Sequence, residues 1–326
     1  MAISQRIADL ADKYLPLLCE HYRGQAVVSW FKLHGWGVHN EDHQRSVARQ
    51  TFLNLAIRQS SLGLRMFSTP LDSLLPRSAL AELANNLERD ASEAESWAVA
   101  YTKLIPQAHR RHTGQFWTED PIADWMTAWL LQFKPRKVLD VACGAGSFLV
   151  KLAKGIDGQG LPTQLTGLDV SPVLLNATAA TFASAGTKAP HLELQDYLAC
   201  EISSDIDAVI CNPPYTRHHS IPPATKDQLQ QEFRDRFGMV VSRQGTLAFY
   251  FLLKIIAEMP EGARAAVIVP MEVLDARYGK AARRILAWHT ELSAVIHFSE
   301  NMNAFQKVDV GACILLFAKG RKEHSG

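Results

Sequence analysis

The 326-residue sequence has no cysteine pairing signature, no bilayer-length apolar run and no bulk charge of either sign. Its five cysteines (Cys19, Cys143, Cys200, Cys211 and Cys313) are scattered, without a Cys-x-x-Cys pair. That spacing excludes a disulfide framework or a cysteine zinc site and leaves reduced thiols in or near a core. No apolar stretch approaches the ~18 residues that would mark a membrane span. The N-terminus, Met1-Ala-Ile-Ser-Gln-Arg-Ile-Ala-Asp9, is polar and acidic where a signal peptide needs an apolar centre. A cytoplasmic location with no membrane partner is therefore expected. The formal net charge of +1 carries no global nucleic-acid signature, so any such binding must come from a local basic surface. There is no repeat or low-complexity segment. His39-Asn-Glu-Asp-His43 reads as a polar helix start, and no metal site is expected.

What is present is ordinary globular composition, with 47% hydrophobic and 21% charged residues. The length exceeds what one core usually holds, so two domains are expected. Residues 1–107 read as a helical N-terminal domain: apolar positions recur at helical spacing over Met1–Leu18, Asn40–Leu62 and Ser78–Ile105. Residues 108–320 read as an α/β domain, and 321–326 as a tail.

The second domain is organised around Asp207-Ala-Val-Ile-Cys-Asn-Pro-Pro-Tyr215. Ala208–Cys211 is a short buried strand. Pro213 and Pro214 cannot continue a ladder, because they lack N–H donors, so the chain leaves the sheet at the strand's C-terminal end. Open α/β sheets bind ligands at that end. Asn212 and the Pro213 carbonyl are two acceptors that can hold both N–H bonds of a planar amine, drawing its delocalised lone pair towards tetrahedral geometry. Pro214 stiffens that carbonyl, and Tyr215 offers a face for a base to stack on, worth roughly 1–3 kcal/mol. The plainer reading is a strand ending in a Pro-Pro turn.

Three further strand ends carry acids. Val138–Val141 runs through Asp140 into Cys143-Gly144-Ala-Gly146 and a helix from Ser147. The third glycine of a dinucleotide fingerprint is replaced by Leu149, and Asp140 suits a cationic or amine-bearing ligand, such as the amino-acid end of S-adenosylmethionine. Leu165–Asp169 ends where a carboxylate takes both ribose hydroxyls, followed by Val170. His191–Gln195 ends at Asp196-Tyr197, where Asp196 could accept from an adenine amine. Upstream, Gly114-Gln115-Phe116-Trp117-Thr118 reads as a loop, with Thr118 the N-cap of a helix to Phe133. Downstream come a polar segment to Gln244, an apolar helix over Thr246–Met259, a strand over Ala263–Pro270 and a basic amphipathic helix over Tyr278–His289. Leu292–Phe298 and Gly311–Ala318 read as a closing antiparallel pair, with Phe305 in the loop between them.

In this order, Asp140-x-x-Cys143-Gly-Ala-Gly146, Asn212-Pro-Pro-Tyr215, the upstream Thr-Gly-Gln-Phe-Trp-Thr and the downstream Phe305-Gln-Lys-Val308 resemble the gamma-type S-adenosylmethionine-dependent DNA adenine-N6 methyltransferases of restriction–modification systems. The resemblance covers about residues 109–319. It implies a Rossmann-like seven-stranded sheet with strand seven antiparallel, preceded here by the helical N-terminal domain. It implies cofactor contacts from Gln115, Phe116, Trp117, Thr118, Asp140, Cys143, Gly144, Gly146, Asp169, Val170, Asp196 and Tyr197. Asn212, Pro213, Pro214 and Tyr215 match the base-amine clamp, and Phe305 the aromatic against a flipped base. Where the family has proline after the loop threonine, this sequence has Glu119, with proline at Pro121. The implied partner is double-stranded DNA, with sequence recognition from a C-terminal target-recognition domain, the N-terminal helices or a specificity subunit. RNA adenine-N6 methylation, protein glutamine-N5 methylation, or a modification subunit inactive alone are the other readings of the same clamp.

Overall fold

The structure, a computed structural model, describes residues 3–21, 41–60, 67–69, 75–88, 97–106, 115, 118–216, 221–297 and 311–320. Two compact units make up the chain: residues 1–113 with 144–146 and 169–194, and the remainder.

Seven strands form one sheet: β1 (Lys137–Asp140), β2 (Gln164–Asp169), β3 (His191–Leu194), β4 (Ala208–Cys211), β5 (Arg264–Pro270), β6 (Thr290–His297) and β7 (Ala312–Lys319), in the order β3-β2-β1-β4-β5-β7-β6. The β1–β2, β1–β4 and β4–β5 pairs are parallel. β7 is antiparallel to both β5 and β6, as expected from the resemblance. β4, and β7 from Ala312 to Ala318, are buried throughout. Strands covered on both faces read as continuous apolar runs, not alternating ones, and the sequence has that character.

In the second unit, helix α5 (Asp120–Leu131) packs on β4, on β5 and on α6 (Ser147–Gln159). Gly155 lets these two helices approach, since a Cβ there would meet the Leu131 side chain, and Lys151 bridges to Asp124 and Asp120 at 2.7 and 3.0 Å. Helix α8 (Pro223–Phe237) occupies part of the stretch expected to be a polar segment. Helix α9 (Leu247–Glu258) is capped by the Thr246 hydroxyl, which accepts from Phe249 N, and is almost wholly buried. Its Lys254 is buried too, and pairs with Glu258 at 2.5 Å and Glu232 at 3.4 Å. A short helix, α10 (Glu272–Asp275), precedes α11 (Gly279–His289).

The first unit holds α1 (Ile3–His21), α2 (Glu41–Ser60), α3 (Arg77–Glu88), α4 (Trp97–Leu104) and α7 (Pro172–Ala185). Ile7, Leu10, Leu18, Phe52, Leu53, Leu83 and Tyr101 share a core with Val173, Leu174, Ala177 and Ala180 of α7. The N-terminal helices thus close over the helix that follows β2. A polar lock sits in this contact. Asn176 accepts from Phe67 N at 2.8 Å, donates to Phe67 O at 2.8 Å, and donates to Asn54 Oδ1 at 2.6 Å. Both asparagines are buried, where an unpaired amide would be costly.

Candidate active site

β4 delivers Asn212 at its C-terminal end, in register beside β5 (Cys211 opposite Val267). Asn212 is half-buried. Its Nδ2 donates to Thr118 Oγ1 at 3.0 Å, and its Oδ1 accepts from the Tyr215 hydroxyl at 2.9 Å. Pro213 is buried, Pro214 and Tyr215 half-buried. Burial, with Cys211 and Cys313 nearby, pushes the Tyr215 hydroxyl well above its usual range. Tyr215 therefore stays a neutral donor. Thr118 corrects the expectation of a capping role: Glu119 occupies the N-cap position of α5, no side chain caps that helix, and the buried Thr118 hydroxyl serves Asn212 instead. The turn is fixed beyond the tetrapeptide by Leu247 N donating to Thr216 O at 2.9 Å.

Asp140 ends β1 fully buried, its Oδ1 accepting from Ala142 N at 3.2 Å. Cys143 is buried, and its N–H donates to Leu168 O at 2.9 Å. A Cβ on Gly167 would lie 2.9 Å from the Cys143 sulfur, so the β2 glycine makes room for this loop. Asp196 is half-buried, with Oδ1 accepting from Leu198 N at 3.0 Å to cap the turn Tyr197–Ala199. The Tyr197 ring lies in the core, 5.2 Å from that of Phe251. Gln115 is half-buried. Phe116, Trp117 and Phe305 lie outside the described residues.

In the first unit, the Asp169 carboxylate is held by backbone donors: Gly144 N to Oδ2 and Ser171 N to Oδ1, both at 2.8 Å. Burial pushes this carboxyl up to about 6, against the lowering effect of the Ser171, Gly144 and Val170 N–H groups. Gly144 (φ +55°) faces open space where a Cβ would be, whereas at Gly146 (φ +81°) a Cβ would strike Thr178 at 2.7 Å. Thr178 Oγ1 also donates to Gly144 O at 3.1 Å. Thr178 and Asn176 were not anticipated. The available signal was two polar residues in the otherwise apolar first half of the helix, Pro172-Val-Leu-Leu-Asn-Ala-Thr-Ala-Ala.

These groups fit a ribose-bearing cofactor: a half-buried carboxylate ends β2, and beside it the glycine loop leaves backbone open to a ligand. Among the described residues no group of three or more side chains is arranged to hold a metal ion, and no helix is long and apolar enough to cross a membrane.

Residues 100–326 match the sequence profile of the family described as N-6 DNA Methylase. The chain belongs to this family. Among its relatives are the type II methyltransferase M.AccI of Acinetobacter calcoaceticus, 28% identical over 235 residues, and M.XamI of Xanthomonas campestris pv. amaranthicola, 28% identical over 261 residues. These alignments cover 72% and 78% of this chain but only 40% and 47% of the relatives, so it spans less than half of their length. The fold also matches a Listeria monocytogenes protein described as a class I S-adenosylmethionine-dependent methyltransferase. That match has a TM-score of 0.61 at 15% identity, over 98% of this chain and 89% of the other.

Proposed function

We propose that this N-6 DNA methylase family member transfers a methyl group from S-adenosylmethionine to the N6 amine of adenine in DNA. It would act in the cytoplasm, as the modification component of a restriction–modification or related defence system. The observation that carries the reading is the pairing of Asn212 with Thr118 and Tyr215 at the end of β4. Thr118 fixes the amide through Nδ2, so that Oδ1, which accepts from Tyr215, offers its second lone pair to a ligand amine, and the Pro213 carbonyl is the second acceptor. Duplex DNA buries the amine, so the base is extruded at a cost of a few kcal/mol and held by the clamp and the Tyr215 ring. Phe305 is assigned the opposite face of the base.

Asp169 is assigned the ribose hydroxyls, Asp140, Cys143, Gly144 and Gly146 the methionine side, Asp196 and the Tyr197 backbone the adenine side, and Gln115–Thr118 the loop over the cofactor, with Val170 beside the ribose. When bound, S-adenosylmethionine supplies a methyl group on a sulfonium, a good leaving group. No cysteine nucleophile is required, and Cys143 and Cys211 are buried. Sequence recognition is assigned to a specificity subunit, a target-recognition domain or the N-terminal helices.

The test is tritium transfer from labelled cofactor to DNA, RNA and protein side by side, with mass-spectrometric detection of N6-methyladenine in DNA from cells expressing the chain. Label in DNA adenine supports the reading. Label in RNA or in protein glutamine would move the activity to that substrate. Cofactor binding without transfer to any of the three would indicate a subunit that needs its partner.

The Asp169 carboxyl gives a second check. Its ionised form is the better acceptor for ribose hydroxyls, so cofactor affinity should weaken about tenfold between pH 7.5 and pH 5, one unit below its value of about 6. Folding runs the other way. A carboxyl raised from 3.8 to about 6 contributes stability that is present below 3.8 and lost as pH rises through about 6. Calorimetric titration and thermal melts over this range should move in opposite directions, and Asp169→Asn should flatten both.

A further inference from the structure

Helix α11 buries Gly279, Ala282, Ile285 and Leu286 and turns Lys280, Arg283, Arg284 and Trp288 outward. Arg277, just before the helix, is exposed as well. Arg277, Lys280, Arg284 and Trp288 follow one another along one strip at helical spacing, with Arg283 beside it. From Lys280 to Trp288 the strip is about 12 Å long. The Arg284 guanidinium lies 4.4 Å from the Trp288 ring centroid, and the Arg283 guanidinium donates to Leu274 O. Among the described residues, none of these four cations is in an ion pair. Two carboxylates precede them, Glu272 and Asp275. Glu272 acts electrostatically on the Tyr278 hydroxyl, and Asp275 on the buried Cys313 thiol.

The strip begins at the reactive end of the sheet. β5 runs parallel to β4 and ends at Pro270, leading through α10 into α11. Tyr278, at the N-cap of α11, sets its ring edge-on to Phe249 at 5.2 Å, and Phe249 N donates to the Thr246 hydroxyl at 3.4 Å. The next residue, Leu247, donates to Thr216 O, adjacent to Tyr215. One short chain of contacts thus fixes the basic helix to the clamp.

We propose that Arg277, Lys280, Arg283 and Arg284 form a contact surface for the phosphates of the duplex whose base enters the Asn212 clamp. This rests on the reading under Proposed function and adds where the substrate's backbone lies. Unneutralised cations in a line on a protein of net charge +1 are a local footprint for a polyanion, and phosphate contacts fix register without reading sequence. The Arg284–Trp288 stack holds one guanidinium planar and pre-positioned.

The test is fluorescence anisotropy of the full chain with labelled mixed-sequence duplexes over about 50–200 mM salt, comparing the wild type with K280E/R284E and R277E. The slope of log K against log salt should shrink by about 0.9 for each phosphate that the variant no longer neutralises. Affinity should fall more than tenfold and equally for duplexes of different sequence, with melting temperature and cofactor affinity unchanged. The charge-conserving K280R/R284K variant should retain binding. Unchanged slope and affinity in K280E/R284E, equal loss in K280R/R284K, or tighter binding of a single-stranded RNA probe would each overturn the inference. Tritium transfer on the same preparations separates the two readings. DNA methylation by the wild type with a slope indifferent to these charges sinks this strip alone. Neither duplex binding nor methylation by the wild type sinks both.

Discussion

Asn212→Ala should lower methyl transfer by about 10²–10³, as expected when a preorganised partner of the reacting group is removed. The amide is held from both ends, by Thr118 through Nδ2 and by Tyr215 through Oδ1. An incoming amine can therefore use the second lone pair of the oxygen that accepts from Tyr215. That requires no reorganisation of Asn212, which stays anchored to Thr118. Truncation to alanine removes the acceptor and the anchor together. Tyr215→Phe keeps the stacking ring and loses only the hydroxyl bond, so its effect should be tenfold or less. Thr118→Val should fall between the two, because it frees the amide to rotate. Single-turnover transfer from labelled cofactor, with cofactor affinity measured separately, gives this ranking. Near-normal turnover in Asn212→Ala on every substrate would remove the clamp. Equal losses in Asn212→Ala and Tyr215→Phe would make the hydrogen bond a structural one.

The second large effect concerns stability. Asn176→Leu should lower the unfolding free energy by about 3 kcal/mol, since it strips partners from the Phe67 backbone and from Asn54 in a buried contact. In a chain of this size that is a drop in Tm of several degrees. Asn54→Leu removes fewer bonds and should cost less, and the double variant should be less than additive because the two residues share one network. Circular-dichroism melts decide it: a wild-type Tm in Asn176→Leu would mean that the lock contributes nothing. Cofactor affinity should fall with stability, because α7 also carries Thr178, which bonds Gly144 O, and is capped by Ser171, whose N–H bonds Asp169.

The strands were legible because buried parallel strands are short continuous apolar runs ended by glycine, proline or acid. Ala208–Cys211 was read with the bounds the structure has, and the antiparallel pair at the C-terminal side within about two residues. Helix α8 was not legible. Its buried positions, Leu229, Gln230, Phe233 and Phe237, are few among charged residues, and one of them is polar. The site divided in the same way. Asp140, Asp169 and Asn212 announce themselves by lying where a strand stops. Thr118 does not, because the residue that decides its role is 94 positions away, and local capping rules favoured a helix start. Asn176 is the extreme case, with Phe67 109 residues distant; no periodicity encodes that partner.

The same separation has a consequence in time. The N-terminal helices complete their core only with Val173, Leu174, Ala177 and Ala180. A ribosome adding about 5–20 residues per second needs roughly 5–20 s to pass from Phe67 to Asn176. Over that interval α1 and α2 have already been made, but not the helix that completes their core. Their final packing is a late event of synthesis, and it arrives together with the segment carrying Asp169. The nascent chain thus completes the core of its first helices and the backbone cradle of Asp169 together.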